Sequence, residues 1–396
     1  MGGMALPRVL VLVLAGGKGS RLELLTETRA KPAVPFAGVY RLIDFPLSNC
    51  EHSQLPDVWV SEQYQPQSVN EHLANGRPWD LDRTTGGLMM LPPFQGSDRG
   101  GFTMGTADGL WRQAELIRQF GADALVVVSS DAVYKLDYRA VVDAHLGSGA
   151  EVTMVTTEVE AEDASRYGIV QAADDGRVTD YAYKPDEPAT TTATNEVFVF
   201  SPEETLDRLE AISDQVGEDG LEDLGTHLLP GQTKDGLARA YPLDGYWRDV
   251  GTVESYWEAH REFRCEDPPI DLDEASWPIH TRGGRHSAAR LLRGAVVEDS
   301  LVSGGTRVAG EVRGSVLSPG VVVEPGATVI DSVLLPGSRV RAGATVTCTV
   351  LDDGVTVGER ATVGGEGAIT LVGRRATVEA GTELAAGARF PEPERD

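Results

Sequence analysis

The 396-residue chain carries 61 acidic side chains against 35 basic ones, a formal net charge of −26, and 41% of it is apolar. That length exceeds what one hydrophobic core supports and predicts two domains, while the composition excludes wholesale disorder. Strong acidity argues against a duplex nucleic-acid partner, whose binding needs a basic face, and leaves a nucleotide enzyme open.

The first predicted element is the apolar run Val9 to Ala15, read as a strand buried on both faces. It is too short for a membrane span and lacks the basic n-region and cleavage site of a signal peptide. The loop LAGGKGSRL, Leu14 to Leu22, follows directly. Its glycines let backbone N–H groups approach a phosphate, and Lys18 and Arg21 add positive charge. It is not a P-loop, since no Gly-Lys precedes Ser or Thr, nor a dinucleotide fingerprint, since Leu22 stands where the third Gly belongs. The run RAKPAVPF, Arg29 to Phe36, comes next, and the first fifty residues together are +3 (six basic, three acidic).

Further strand candidates, DVWVSEQ, LVVVSSD and VTMVTTEV, alternate with helical stretches up to about His260. This alternation predicts an α/β domain of the doubly wound, Rossmann-like kind with a mostly parallel sheet, whose ligands bind at the carboxyl ends of the strands. Gly16, Gly17, Gln63 and Asp131 stand at such ends. Asp131 also suits a helix N-cap or turn. The acidic run Glu203 to Asp223 has an apolar edge of Leu206, Leu209, Ile212 and Val216, which predicts a solvated amphipathic helix. Cys50, Cys265 and Cys348 are far apart in sequence and predict buried, unreactive thiols in a reducing cytoplasm.

After a Pro-rich stretch from Asp267 to Pro278 the texture changes. SVLSPGVVVEPGATVID, Ser315 to Asp331, is followed without a gap by SVLLPGSRVRAGATVTC, Ser332 to Cys348, a period of 17 residues. A Val about every six positions with Gly or Pro-Gly at the turns predicts a left-handed parallel β-helix of the hexapeptide type. The predicted division is a catalytic domain over 1–265, a linker over 266–290 and the β-helix over 291–396.

The segment Leu14 to Cys50, with its string RLIDFPLSN, closely resembles bacterial ADP-glucose pyrophosphorylases, the glucose-1-phosphate adenylyltransferases. Further matches are GTAD (105–108), YGIV (167–170), YWRDVGTVESYW (246–257), WPIHT (277–281) and SLVSGG (300–305), in the family's order along nearly the whole chain. The resemblance implies transfer of AMP from ATP to glucose 1-phosphate, giving ADP-glucose and pyrophosphate for glycogen synthesis. It makes Arg21, Lys31 and Asp131 the catalytic residues, and Asp131 and Asp249 the ligands of Mg2+. The implied nucleotide site is Leu14, Ala15, Gly16, Gly17, Lys18, Gly19, Gln63, Gln95, Gly105 and Thr106, with Gln63 and Gln95 reading adenine. The implied sugar-phosphate site is Tyr167, Gly168, Tyr183, Lys184, Thr194, Glu196 and Trp247, with Lys184 on the phosphate. Arg248 is expected to add to the positive charge there. The implied assembly is a homotetramer, or a hetero-oligomer with a paralogue, with neither nucleic acid nor membrane as partner.

Departures from the family pattern cluster around the sugar and the catalytic centre. Ser130 and Ala132 replace Gly and His, Tyr183 replaces the Glu before Lys-Pro, Thr103-Met104 replace Tyr-Arg, and Thr194 to Phe198 reads TNEVF where the family has S-M-G-(I/N)-Y. These changes predict the same reaction with an altered sugar preference; a Glu196 facing the pocket would favour an amino sugar such as glucosamine 1-phosphate. The competing reading is a catalytically weak regulatory paralogue. Thr28, where some relatives have an effector-binding lysine, makes that kind of effector binding doubtful. Arg282, Arg285 and Arg290 offer anion contacts or solvent-facing ion pairs.

Overall fold

The computed structural model describes residues 6–93, 103–217 and 220–392. In chain order the strands of the first domain are β1 (Val9–Ala15), the hairpin β2 (Pro35–Phe36) and β3 (Tyr40–Arg41), β4 (Asp57–Glu62), β5 (Gly87–Leu91), β6 (Ala124–Ser129) and β7 (Ala132–Tyr134). They continue with β8 (Val152–Glu158), β9 (Gly168–Ala172), β10 (Val178–Tyr183), β11 (Thr192–Phe200), β12 (Ala238–Pro242) and β13 (Trp247–Asp249).

β1 lies inside a nine-stranded sheet, parallel to β4 on one side and β6 on the other. Its side chains alternate: Val9, Val11 and Val13 enter one core, Leu10 and Leu12 the core on the opposite face. That explains why an unbroken apolar run forms a strand here. The β5–β4–β1–β6 half is the parallel sheet that the alternation predicts. Beyond β6 the sheet is mixed, because β11 runs antiparallel to β6, β8 and β9. That half brings strands no parallel wind would place beside the carboxyl ends.

The acidic run forms only part of the predicted helix. The helix Pro202–Val216 buries Leu206 and Leu209, but it ends there, and Asp223 turns inward to the cleft described below. Cys50 is buried as expected, whereas Cys348 is half-buried and Cys265 exposed, so burial of all three thiols does not hold. Cys265 lies beyond the end of the last helix of the domain, Val253–Phe263, where no core covers it. No helix among the described residues is long and apolar enough to cross a membrane.

From Arg290 onward the chain winds into three parallel sheets of six strands each, a left-handed β-helix. Val316, Val333 and Val350 stand in register, as do Leu317, Leu334 and Leu351, so the 17-residue period is one coil. The hydroxyls of Ser300, Ser315 and Ser332 each accept the backbone N–H of residue 315, 332 or 349 on the next coil. The period lengthens at the next step, where Val350 pairs with Leu371.

The β-helix is welded to the first domain. Val316, Val333, Leu335, Val350 and Leu371 share one apolar cluster with Leu22, Leu24, Phe36 and Tyr256. The Trp257 indole donates to the Asp331 carbonyl at 2.8 Å, and Arg389 pairs with Glu23. Deepest is Arg29, 3% exposed, which pairs with the fully buried Asp352 and, at 3.2 Å, with Asp353. Burial alone would lower the Arg29 guanidinium, but Asp352 and Asp353 hold it above its ordinary value. The same burial raises the Asp352 carboxyl, so the pair offsets its desolvation only in part. Because a guanidinium cannot shed its proton, the pair stays ionised.

Arg29→Ala would leave Asp352 buried without its countercharge. We expect a loss of about 3 kcal/mol or more in urea unfolding, the usual cost of breaking a buried pair from one side, while Arg374→Ala, an exposed neighbour of Asp353, changes stability little.

Candidate functional site

A cavity of about 420 Å³ opens at the carboxyl ends of β1, β4 and β6, where an α/β sheet presents its ligands. Leu14, Gly16, Gly17, Lys18, Gln63, Gly105 and Thr106 line one half; Tyr167, Gly168, Tyr183, Lys184, Thr194 and Glu196 line the other. A smaller cavity of about 70 Å³ continues past Arg21, Lys31, Asp131, Trp247 and Asp249. Of the remaining sequence candidates, Ala15 is buried within β1, and Gly19, at φ 66, packs where a Cβ would meet Lys31 at 3.0 Å. Neither lines either cavity, so these two shape the loop from behind. Gln95 lies outside the described residues.

Lys31, Asp131 and Asp249 meet where the two cavities adjoin. Asp131 lies two residues past the end of β6, and the chain turns into β7, which pairs antiparallel with β13. That ribbon puts Asp249 opposite Ala132, next to Asp131 although 118 residues separate them in sequence. The Lys31 ammonium lies 2.7 Å from Asp131 Oδ2 and 3.4 Å from Asp249 Oδ1. Lys31 is only 6% exposed, and burial would lower it, but Asp131 and then Asp249 hold it above the ordinary lysine value. Burial raises the Asp131 carboxyl, yet Lys31 and the Ser129 hydroxyl pull it below its usual range.

Strand alternation corrects one expectation. Trp247 and Asp249 face the smaller cavity, so Arg248 between them points away and pairs with Glu258 and Glu262 at 2.6 and 3.1 Å. The cation that takes this place is Arg166, 3.3 Å from Asp249 Oδ2 and paired with Asp163 at 2.9 Å. Only its position before the YGIV motif pointed to it in sequence.

Asp223 is a second residue that sequence reading missed. It accepts the Tyr183 hydroxyl at 2.8 Å and the Thr106 N–H and hydroxyl at 3.2 and 3.3 Å, tying the two halves of the cavity together. Tyr183 thus stands where the family has a carboxylate and brings another carboxylate to the wall. Gly225 is required there, since a Cβ would lie 2.3 Å from the Tyr183 ring. Gln63 is engaged with Thr103, whose carbonyl takes its amide N–H at 3.3 Å and whose hydroxyl donates to its oxygen. Ser130, at the family's Gly, donates to the Leu14 carbonyl at 2.7 Å and closes the base of the loop.

Lys184 and Glu196 are both held at positive φ, 47° and 61°, conformations that cost a non-glycine residue of order 1 kcal/mol. Glu196 sits where β11 breaks register between Thr194 and Phe198, and the bulge aims it into both cavities. Its side chain is exposed at the cavity wall, yet the protein atoms that surround it there, then Asp131 and Asp249, push its carboxyl up to about 7.

A nucleotidyl transferase model matches residues 10–265, and a GlmU-like C-terminal hexapeptide model matches residues 286–370. A glucose-1-phosphate adenylyltransferase of Acetivibrio thermocellus is 35% identical over 390 residues, covering 95% of this chain and 91% of the relative. Those of Thermotoga neapolitana and Thermomicrobium roseum are 40% and 41% identical, over 81% and 75% of this chain and 76% and 69% of theirs.

The chain belongs to the glucose-1-phosphate adenylyltransferase family.

Within that family frame, the nucleotidyl transferase match covers every strand that lines the cleft, and the hexapeptide match covers the coils that hold Asp352. Folding raises the Glu196 carboxyl from 4.5 to about 7, so its proton favours the folded state. That stability is fully present below pH 4.5 and is lost as pH rises through about 7. In divalent-free buffer, Glu196→Gln should melt with the wild type near pH 4.5 and at progressively higher Tm than it between about pH 5 and 8. A Tm difference independent of pH would remove the carboxyl as its cause.

Proposed function

We propose that the cleft transfers AMP from ATP to glucose 1-phosphate, giving ADP-glucose and pyrophosphate. The observation that carries this reading is the meeting of Lys31, Asp131 and Asp249 where the glycine-loop half of the cavity adjoins the half built by β9–β11. A sugar-phosphate oxygen attacks the α-phosphorus in line. A bond forms from that oxygen to phosphorus while the bond to the bridging oxygen of the leaving group breaks, and the electron pair departs on pyrophosphate. A phosphate dianion needs no base, so the protein's task is to align two anions and offset their repulsion.

Lys18 and Arg21 serve the triphosphate from the loop after β1, and Lys184 serves the sugar phosphate from the end of β10. Lys31 shares its charge between the two. Asp131 and Asp249 fit a hard divalent cation, Mg2+ in this reading, because their oxygens already converge on one positive charge and oxygen is the donor such ions prefer. When bound, Mg2+ screens charge between the two substrates. Arg166 and Ser129 keep the two carboxylates oriented. We place the enzyme in the cytoplasm as a homotetramer, with ATP and a sugar 1-phosphate as its partners.

A second reading of the acceptor rests on Glu196. Its carboxylate occupies the sugar half of the cavity, where it would pair with the ammonium of glucosamine 1-phosphate.

A pyrophosphate-release assay across nucleoside triphosphates and sugar 1-phosphates tests the assignment. Turnover with ATP and a hexose 1-phosphate is expected; no turnover with any pair would overturn it and support a regulatory paralogue. Lys31→Ala and Asp249→Asn should each lower kcat by about 100-fold or more, as loss of preorganised charge does. Glu196→Gln should lower the kcat/KM ratio of glucosamine 1-phosphate to glucose 1-phosphate. An unchanged ratio would exclude Glu196 as the residue that reads the sugar.

A further inference from the structure

Outside the residues that line the two cavities, where the linker returns across the first domain, Glu51, His52 and His280 bring three ligand atoms within 4.8 Å of one another. Glu51 and His52 end the helix Asp44–His52, and His280 comes from the stretch Trp277–Thr281 that leads to the β-helix. His52 Nε2 lies 2.8 Å from the Pro278 carbonyl. A carbonyl only accepts, so Nε2 carries the proton, and in the neutral ring Nδ1 then presents a lone pair. That lone pair faces Glu51 Oε2 at 3.0 Å. Glu51 Oε2 is itself buried and receives no hydrogen bond, and His280 Nε2 approaches it at 3.4 Å.

The Nδ1 lone pair of a neutral His52 and the Glu51 oxygen, which receives no hydrogen bond, would both be satisfied by a cation between them, and His280 Nε2 stands beside them as a third ligand atom when its proton is on Nδ1. Metal–ligand bonds of about 2.0–2.1 Å at tetrahedral angles set ligand atoms roughly 3.3 Å apart, and the spacings of 3.0 and 3.4 Å match. We propose that Glu51 Oε2, His52 Nδ1 and His280 Nε2 form a divalent metal site of the zinc class.

The surroundings prepare such a site. The Nε2–H to Pro278 contact is the carbonyl–histidine arrangement that orients a metal-binding imidazole. Trp277 packs on the His52 ring with centroids 4.5 Å apart. The His280 backbone is held at both ends: its N–H donates to Ser48 Oγ at 2.9 Å and its carbonyl accepts the Trp79 indole at 3.1 Å. Two imidazoles with one carboxylate select Zn2+ over Mg2+, and both His280 and Glu51 are about a third exposed, which leaves room for water as a fourth ligand and a path for the ion. The ion would staple the linker to the helix Asp44–His52, and with it the first coil to the catalytic domain.

The test uses untagged full-length protein stripped with chelator and returned to excess Mg2+, so that the carboxylates of the cleft do not compete. Wild type should take up one Zn2+ per chain, gain Tm on doing so, and give with Co2+ the visible d–d absorption of a tetrahedral site. Glu51→Gln should weaken Zn2+ binding by about tenfold or more, and His52→Ala/His280→Ala should abolish the uptake, the Tm gain and the Co2+ spectrum. Asp249→Asn should retain all three. No Zn2+ uptake by wild type, or uptake equal in wild type and the double histidine variant, would overturn the proposal; if that variant does not fold, Glu51→Gln and the wild-type Co2+ spectrum decide it.

Discussion

A buried ammonium shared by two carboxylates organises this molecule. Lys31 can remain charged at 6% exposure only because Asp131 and Asp249 are beside it. Those two can sit together only because Lys31 offsets their repulsion. Three segments far apart in sequence are therefore committed to one point. Two residues earlier, Arg29 makes the same kind of commitment toward the β-helix through Asp352 and Asp353. The short stretch from Arg29 to Lys31 thus ties Asp131 and Asp249 to the solenoid, and any shift of the coils at Asp352 bears on the position of Lys31.

The cleft built around this point has two unlike walls. One is the carboxyl edge of parallel strands, lined by Gly16 and Gly17 of the glycine loop. The other is antiparallel, and it carries the aromatic rings and the two positive-φ residues Lys184 and Glu196. Backbone strain and a raised carboxyl thus fall on the second wall, while complementary charge pairs hold the centre. Of the departures from the family pattern, Tyr183 and the stretch Thr194 to Phe198 lie on this second wall, whereas Ser130 and Thr103 lie beside the glycine loop and Gln63.

Much of this was legible in the chain itself. The alternation of Val and Leu in β1, the glycine loop and the 17-residue period each follow from local physics: strand pleat, backbone access and coil geometry. Arg248 was misjudged because membership of a motif says nothing about which way a strand residue points, and Trp247 and Asp249 took the cavity face. Arg166 and Asp223 were not legible, since each earns its role from a partner distant in sequence, Asp249 for one and Tyr183 for the other. The acidic run around Asp223 looked like solvated surface because nine acidic residues in 21 read as such, and only folding turns the last of them inward.

By itself the sequence determined the architecture, the glycine loop after the first strand and the family, because these depend on local periodicity and on short motifs that carry their own geometry. The tertiary structure alone decided which charges meet: Lys31 with Asp131 and Asp249, Arg29 with Asp352, and Glu51 with His52 and His280. Charge pairing depends on distance in space and on burial, and a net charge of −26 records neither.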